Sequence, residues 1–417
     1  MPLICYKCID DVGLKKIIEK VGNVGHCSIC EGVKRVAVEA RELGKIIEPT
    51  LRKLYSIGEE QPRYSLEADG VYYQQQGEYL EEIIESILEQ ELDCVDEIAS
   101  GVIEADNYWP QDGEYGFWDD TSCYERNLYH GQGTGFSWEA TLAELKHSRR
   151  FFSPSAQTLF TELFAGLDTL RVLKGRKSEP VVTTLPEGSL LYRARSCRIE
   201  SEAKTIWENP LAFVGPPPLD KARAGRMNAE GVVVLYCAKD IETCLAEMRP
   251  ALGGTLALIT LKTREPLRIL DFSLLEKRFV GGPGSVFEPN YFEELERRQF
   301  LKRLHHLISQ PIVPGHEADY LITQTMAEYL AHVHDVQIDG ISFSSAQRAS
   351  GVNVVLFPSR DLLTDRVQDK FGVEYVEGSI KGFKTESIRY RHSEVDVEKR
   401  VDGSFSLASK YDPDLDF

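Results

Sequence analysis

Hydrophobic residues recur every three to four positions through most of the first 180 residues, a period typical of amphipathic helices. The pattern is clearest in "VKRVAVEARELGKIIEPTLRKLY" and "YLEEIIESILEQELDCVDEIASGVIE". Two more helices are predicted from "SWEATLAELKHSRRFF", with Ser137 as N-cap, and from "SPSAQTLFTELFAGLDTL". The N-terminal part of the chain is therefore predicted to be helical.

After "VVTTLPEGSLLYRARS" the pattern changes to short apolar runs separated by turns, which predict strands. The predicted strands are "GSLLYRAR", "VVVLYCA", "TLALITLK", "LRILDF", "DGISFSSA" and "NVVLF". Helices are predicted between them, at "IETCLAEM", "YFEELERRQFLKRLHHLIS" and "YLITQTMAEYLAHVHD". Strands and helices do not alternate strictly, and no P-loop or G-x-G-x-x-G follows a strand. We therefore expect a mixed α+β domain and not a doubly wound nucleotide-binding fold.

Four cysteines near the N-terminus have the spacing of a metal site. "CYKC" supplies Cys5 and Cys8, and "CSIC" supplies Cys27 and Cys30 after an 18-residue spacer. A two-residue gap lets both sulfurs of a pair reach one tetrahedral ion, and two pairs complete the coordination shell. This predicts a structural zinc ion, because four sulfur ligands leave no open position for catalysis. The alternative is four free cysteines.

Composition and charge restrict the partners. The formal net charge of -18 argues against a general binder of nucleic acid, which requires clustered Lys and Arg. No apolar run is long enough to cross a bilayer, and "MPLICYKCIDD" lacks the order of a signal peptide. Nine cysteines in 417 residues do not resemble a disulfide framework, so a cytoplasmic location is expected.

The segment "AGRMNAEGVVVLYCAKDIETCLAEM" places Arg226, Asn228, Tyr236 and Glu247 on a loop, a strand and a helix. It resembles the RES domain, a family named for its Arg, Glu and Ser, whose members are NAD-consuming toxins of toxin–antitoxin pairs. "LYRAR" is similar to the family's leading strand, with Arg193 at its arginine. "DGISFSSAQRASGVNVVLF" is similar to its closing strands, with Ser345 at the serine. The resemblance covers about residues 181 to 360.

The resemblance implies a fold like that of ADP-ribosyltransferases for the C-terminal domain. The part before it is similar to the zinc-plus-helix HEPN/RES N-terminal domains of longer relatives. Four regions are expected: a zinc module at 1–45, a helical HEPN-like domain at 46–178, the RES domain at 179–365, and a C-terminal extension with an acidic tail at 366–417. "RNLYH", with Arg126 and His130, resembles the motif of HEPN ribonucleases, but its spacer is one residue short.

On this resemblance, NAD is the substrate and each site residue has an expected role. The expected catalytic residues are Arg193, Tyr236, Glu247 and Ser345, and those binding NAD are Arg193, Arg226, Asn228, Tyr236 and Ser345. The arginines suit the diphosphate, and the tyrosine ring suits the nicotinamide. The carboxylate would stabilise the positive charge that develops on the ribose as nicotinamide leaves. The serine suits a hydrogen bond to phosphate or amide, and Asn228 suits a supporting role.

Taken singly, these residues have ordinary structural explanations: a core tyrosine, a turn serine, a surface glutamate paired with an arginine. Three functions therefore stay open. The first is an enzyme that cleaves the nicotinamide–ribose bond and depletes NAD, as a glycohydrolase or phosphorylase. The second is an ADP-ribosyltransferase acting on a protein target, and the third is a catalytically silent interaction module held together by zinc. A cognate antitoxin or other regulatory partner and a homo-oligomer are further open expectations.

Overall fold

The computed structural model describes residues 1–65, 70–106, 116–127, 133–309, 317–359, 370–388, 395–399 and 405–409. The chain divides into two compact units. The first comprises Met1–Gly131 and Gly281–Glu296, and the second comprises Gln132–Val280 and Arg297–Phe417.

The first unit contains helices and short strands. Its helices are α1 (Val12–Val21), α2 (Ala40–Leu54), α3 (Leu80–Leu88) and α4 (Val95–Ala105). Its strands are β1 (Leu3–Cys5), β2 (Asn23–Gly25), β3 (Arg35–Glu39), β4 (Tyr55–Ile57), β5 (Glu60–Ser65), β6 (Gly70–Gln75), β7 (Glu78–Tyr79) and β8 (Cys123–Arg126). They form small sheets in the orders β1-β3-β2, β4-β8-β7 and β5-β6.

Strand β3 lies inside "VKRVAVEARELGKIIEPTLRKLY", a stretch for which the spacing of apolar residues predicts a helix. The helix begins only at Ala40, because the segment before it pairs with β1 and β2. Val36 and Val38 are β-branched and suit a strand, so local pairing prevails there over the helical period.

Helices α2 and α4 pack closely because each has a glycine at the contact. A Cβ on Gly44 would lie 2.1 Å from the carbonyl oxygen of Ile98, and one on Gly101 would lie 2.0 Å from that of Arg41. Only glycine permits this approach of two backbones. Leu43 and Ile47 are fully buried beside it, and they form the centre of the first unit's core.

An ionic network lies at the end of the same helix pair. Arg52 donates Nε to Glu48 Oε1 over 2.5 Å and also pairs with Asp106. Trp118 donates Nε1 to the same Glu48 oxygen over 3.0 Å. The guanidinium carbon lies 4.5 Å from the ring centroid of Phe117. One arginine thus neutralises two carboxylates that are each about nine-tenths buried.

Residues 281–296 are distant in sequence from the rest of the first unit but complete its core. Phe287 is 7% exposed and packs in that core. Ser285 donates Oγ to Asp11 Oδ1 over 2.6 Å, and Lys16 pairs with Glu288 over 3.1 Å.

The second unit is built around one large sheet. Its helices are α5 (Gly133–His147), α6 (Pro154–Leu163), α7 (Ile199–Glu208), α8 (Pro210–Val214), α9 (Ile241–Glu247), α10 (Phe272–Leu275), α11 (Tyr291–Ser309, of which residues 291–296 belong to the first unit) and α12 (Leu321–Glu328). Its strands are β9 (Arg171–Lys174), β10 (Lys177–Pro180), β11 (Val182–Leu185), β12 (Leu190–Cys197), β13 (Leu235–Ala238), β14 (Thr255–Thr263), β15 (Leu267–Asp271), β16 (Gly340–Ser344), β17 (Val352–Leu356), β18 (Val373–Tyr375), β19 (Lys381–Lys384), β20 (Val395–Lys399) and β21 (Phe405–Ser409).

The sheet has the order β11-β15-β16-β17-β13-β12-β14-β18, and β19 also pairs with β14. Strands β15 and β16 are parallel, and the other described pairs of this sheet are antiparallel. Side chains alternate between two cores: Val355 packs in the core that contains α5, α6, α11 and α12, and Val354 packs in the core that contains α7 and α8. The six strands predicted from the sequence are present, and the mixed fold class is confirmed.

The four-region division stays a prediction. Helices α5 and α6, which it assigns to the helical domain, lie in the second unit. The alternating polar and apolar residues of "IKGFKTESIRYRHSEVDVEKRV" predict a late hairpin, and this prediction is wrong, since β19 pairs with β14 and β20 pairs with β21. The acidic tail at 410–417 lies outside the described residues. Among the residues that are described, no helix is both long enough and apolar enough to span a membrane.

Candidate functional site

The four N-terminal cysteines come together at one point in the first unit. Their Sγ atoms all lie within 4.8 Å of one another. Cys5 Sγ is 3.6 Å from that of Cys8 and 3.7 Å from that of Cys30, and Cys27 Sγ is 3.7 Å from that of Cys8. A tetrahedral zinc ion with bonds of about 2.3 Å holds its sulfurs about 3.8 Å apart. The cluster therefore has the dimensions of a four-thiolate metal site.

The surroundings of Cys27 also suit a metal ligand, since only the thiolate binds metal. Burial raises the pKa of this thiol, but the backbone N–H groups of Cys30, Cys5 and Ile29 lower it to about 6 in total. The backbone N–H of Cys5 donates to Cys27 Sγ, with 3.4 Å between the nitrogen and the sulfur. These donors stabilise negative charge on the Cys27 sulfur, whereas burial raises the pKa of Cys5 and of Cys8 when no ion is considered.

The second candidate site is a cleft at one end of the large sheet. The floor of the cleft is a row of paired residues on four neighbouring strands. Asn353 of β17 pairs with Phe343 of β16 on one side and with Ala238 of β13 on the other, and Ala238 pairs with Tyr192 of β12. This row joins the C-terminal ends of β13 and β16 to the start of β17. Arg193, the next residue of β12, lines the same cleft.

Glu247 ends α9 and lies in the cleft, with one carboxylate oxygen held by two donors. Oε1 accepts a hydrogen bond from Ser345 Oγ at 2.5 Å and another from Asn353 Nδ2 at 2.7 Å. Within the described residues Oε2 has no hydrogen-bond partner. The carboxylate is thus oriented through one oxygen, and the other is available to a ligand.

The loop after β16 fixes Ser345. Its hydroxyl accepts hydrogen bonds from the backbone N–H groups of Gln347 and Arg348, both at 3.1 Å. Arg348 then donates Nη1 to Asp240 Oδ1 over 3.0 Å and Nη2 to Glu242 Oε2 over 2.9 Å. This clamp joins the loop to the first turn of α9, so the serine and Glu247 are held by one structure.

Arg226, Asn228 and Tyr236 form a second arrangement, on the loop before β13. Tyr236 donates its hydroxyl to Asn228 Oδ1 over 2.9 Å and accepts the N–H of Met227, also at 2.9 Å. A Cβ on Gly225 would lie 2.7 Å from the tyrosine hydroxyl, which explains the glycine there. Burial raises the pKa of Tyr236 to about 12, so the phenol stays protonated at neutral pH.

The amide of Asn228 is used inside this loop. Its Nδ2 donates to the carbonyl oxygens of Arg223, Ala229 and Val232 at 2.8–3.1 Å. Both ends of the buried side chain therefore have protein partners. Its expected contact with NAD stays a prediction, and the observed role is to hold the loop.

Three arginines line the cleft without a carboxylate partner in the described part of the chain: Arg193, Arg226 and Arg249. Arg193 donates Nε to the Val214 carbonyl oxygen over 2.7 Å and Nη1 to that of Tyr236 over 2.8 Å. Burial lowers its pKa from the ordinary value, yet an arginine remains charged. Arg226 makes no hydrogen bond through its guanidinium within these residues, and this group lies 5.7 Å from the ring centroid of Tyr320. Arginine cations therefore line the same cleft as the Glu247 carboxylate.

Several residues that build the cleft were not identified from the sequence. Asn353 is a polar residue in the apolar run "VNVVLF", which was the available signal. Thr323 donates Oγ1 to the Arg226 carbonyl oxygen over 2.7 Å, and Gln324 donates Nε2 to that of Gly225 over 2.8 Å. The buried Ser309 hydroxyl lines the cleft and has no hydrogen-bond partner among the described residues. A buried polar group of this kind indicates a ligand or water.

The enclosed part of the cleft measures about 170 Å³. Pockets that bury a whole drug-sized ligand are about 300–1,000 Å³. The cleft can therefore enclose one end of a dinucleotide, and the remainder must lie beyond it. Burial raises the pKa of Cys237 and of Cys244 to about 12, so neither lining thiol is a nucleophile at neutral pH.

Fold and cleft together define a protein with a cysteine cluster and helices in its N-terminal part and, later in the sequence, a mixed α/β domain that contains a cleft. Comparison with known families matches residues 190–376 to the RES domain and residues 20–158 to the HEPN/RES N-terminal domain 1. Comparisons with curated proteins and with solved structures found no match. The chain thus contains a RES domain preceded by a HEPN/RES N-terminal domain 1, and the predicted resemblance is confirmed.

The RES domain supports a toxin-like, NAD-related enzymatic role in general, and RES domain proteins bind NAD. The cleft lies within the matched residues and contains Arg193, Arg226, Tyr236 and Glu247. Ser345 reaches it through its bond to Glu247. In the alternative ribonuclease motif, Arg126 ends β8, and His130 lies outside the described residues.

Proposed function

We propose that the chain binds NAD in this cleft and cleaves the bond between nicotinamide and ribose. The observation that carries the proposal is the carboxylate of Glu247, which is held through Oε1 and has Oε2 available in a cleft with three arginines. Breaking this bond builds positive charge on the ribose, and a fixed carboxylate stabilises that charge.

The parts of the cleft have separate tasks in this proposal. Arg226 and the unused Nη2 of Arg193 bind the diphosphate. The ring of Tyr236 packs against nicotinamide, since its hydroxyl is already bonded to the loop. Glu247 accepts a hydrogen bond from a ribose hydroxyl and faces C1′. Ser345 and Asn353 hold the carboxylate.

The chemical step balances with water as the acceptor. The C1′–N bond breaks and its electron pair leaves with nicotinamide as a neutral base. A water oxygen bonds to C1′, and its proton passes to solvent, which yields ADP-ribose. Phosphate in place of water gives a phosphorylase, and a protein side chain in place of water gives the alternative ADP-ribosyltransferase. Analysis of the products of NAD incubation distinguishes these acceptors.

Glu247→Gln tests the role of the charge, because glutamine keeps the shape and can still accept both hydrogen bonds. We expect the turnover number for NAD to fall by about two to three powers of ten, as when one preorganised electrostatic partner is lost. The dissociation constant for NAD should change by far less, since the arginines remain. Arg226→Ala is the matched variant, in which weaker binding should be the main defect.

Two outcomes would contradict the proposal. If a folded Glu247→Gln protein cleaves NAD at the parent rate, the carboxylate has no catalytic role. If neither the parent nor the variant binds NAD in calorimetry, the silent interaction module becomes the better explanation.

We also propose that the cysteine cluster binds zinc through Cys5, Cys8, Cys27 and Cys30. The sulfur separations and the donors around Cys27 support this, and four thiolates complete a tetrahedral shell. The ion would stabilise the fold and would take no part in the chemical step.

A further inference from the structure

A second cavity lies directly beside the cleft in the second unit. It measures about 590 Å³, and its walls are formed by the end of α9, the loop after β16 and the end of β19 with the residues that follow. The residues used below are Leu245, Arg249, Gln347, Phe383, Lys384 and Glu386. We call this cavity the β19 groove.

The groove continues from the cleft along two of its walls. On α9 and the residue after it, Glu247 and Met248 line the cleft, whereas Leu245 lines the groove. In the loop after β16, Ala346 lines the cleft and the next residue lines the groove. Arg249 lines both cavities. A ligand held at Glu247 and too long for the cleft can therefore extend past Arg249 into the groove.

The chemistry of the groove suits a nucleotide. The side chains of Arg249 and Lys384 make no hydrogen bond or ion pair within the described residues, so both cations can bind phosphate. Leu245 and Phe383 supply an apolar surface for a base, and the Glu386 carboxylate can accept hydrogen bonds from hydroxyl or amino groups. Arg249 also has a φ of 44°, in the left-handed region that non-glycine residues rarely adopt. Such conformations concentrate at ligand sites.

We propose that the β19 groove binds the adenosine monophosphate half of NAD, with Arg249 at the diphosphate and Lys384 beside the adenylate phosphate. The inference rests on the proposed function and names where the second half of the same substrate lies. Strand β19 begins at residue 381, beyond the RES match that ends at 376. This part of the substrate site is therefore supplied by the segment after the RES domain.

Nicotinamide mononucleotide tests the inference, because it has the scissile bond and lacks the adenylate half. For Lys384→Ala we expect the ratio of kcat/KM for NAD to kcat/KM for the mononucleotide to fall about fivefold. Lys381→Ala is the matched control: it removes the same charge from the same exposed strand but does not line the groove, so the ratio should not change. A ratio unchanged in Lys384→Ala, or lowered equally in both variants, would overturn the inference.

Calorimetry with adenosine monophosphate alone separates this inference from the catalytic proposal. The parent should bind the nucleotide, and Arg249→Gln should bind it several-fold more weakly, whether or not NAD is cleaved. If the parent does not bind adenosine monophosphate, the groove is not its site. If the parent binds it as expected but cleaves neither NAD nor the mononucleotide, the proposed function fails and the groove assignment stands.

Discussion

Replacing Asn353 by leucine removes one of the two donors that orient Glu247, while the side chain keeps a similar size. The lost hydrogen bond is the one of 2.7 Å from Nδ2 to Oε1, and the bond from Ser345 remains. The carboxylate keeps its charge but is less firmly oriented. We therefore expect Asn353→Leu to lower the turnover number for NAD and to change KM little.

The magnitude follows from burial and charge. Asn353 is 9% exposed, and a hydrogen bond to a charged group contributes about 1.5–3 kcal/mol to stability. Leucine recovers about 1–2 kcal/mol of this by burying apolar surface. The free energy of unfolding should fall by about 1 kcal/mol. A tenfold lower turnover, our expectation for a less firmly held carboxylate, corresponds to about 1.4 kcal/mol in the barrier.

Denaturant unfolding and steady-state release of nicotinamide measure the two quantities separately. Thr263→Val is the matched control, since Thr263 is fully buried in β14, donates Oγ1 to the Pro186 carbonyl oxygen over 2.7 Å, and does not line the cleft. It should lose comparable stability and keep the parent turnover. Parent turnover in folded Asn353→Leu, or an equal loss of turnover in Thr263→Val, would refute the orienting role.

Three further outcomes are expected in the first unit. Replacing Cys5 and Cys8 together with serine should reduce bound zinc from one ion per chain to none in metal analysis, and zinc that persists would contradict the assignment. Arg52→Met leaves two buried carboxylates without their cation and should lower the free energy of unfolding by about 2–3 kcal/mol. Removing one partner of a fully buried ion pair costs about 3–5 kcal/mol, and the cost here is lower because Arg52 is 38% exposed. Burial raises the pKa of Asp119, but four hydrogen bonds from Thr121 and Ser122 lower it overall. A carboxyl group whose pKa is lower in the folded chain stabilises the fold at pH values above its unfolded pKa, which is near 4. This stabilisation is lost as the pH falls through the pKa of the folded chain. Asp119→Asn should therefore make the free energy of unfolding depend less steeply on pH in the acidic range.

The second unit was largely predictable because its strands are short apolar runs bounded by turns. Tyr236 and Glu247 are placed together by the resemblance of their segment to the RES domain, and both line the same cleft. Asn353 could not be placed there from the sequence, since its position beside Glu247 depends on the register of β17 with β13 and β16. That register is a tertiary property that a single sequence does not specify.

The first unit was harder to predict for a related reason. Its strands are two to six residues long, too short to interrupt the helical period of their surroundings. The contribution of Phe287 to its core comes from a segment that begins 150 residues beyond Gly131. Periodicity describes the face that a segment buries but not the distant segment that covers it.

The return of residues 281–296 to the first unit sets an order for biosynthesis. When Gly131 has left the ribosome, Phe287 has not yet been synthesised. The hydrophobic core of the N-terminal unit is then incomplete. At about 5–20 residues per second, the ribosome needs roughly 10–30 s to reach Phe287. During this interval the core of the N-terminal unit lacks the Phe287 side chain. The core of the N-terminal unit can be completed only after much of the second unit has been translated.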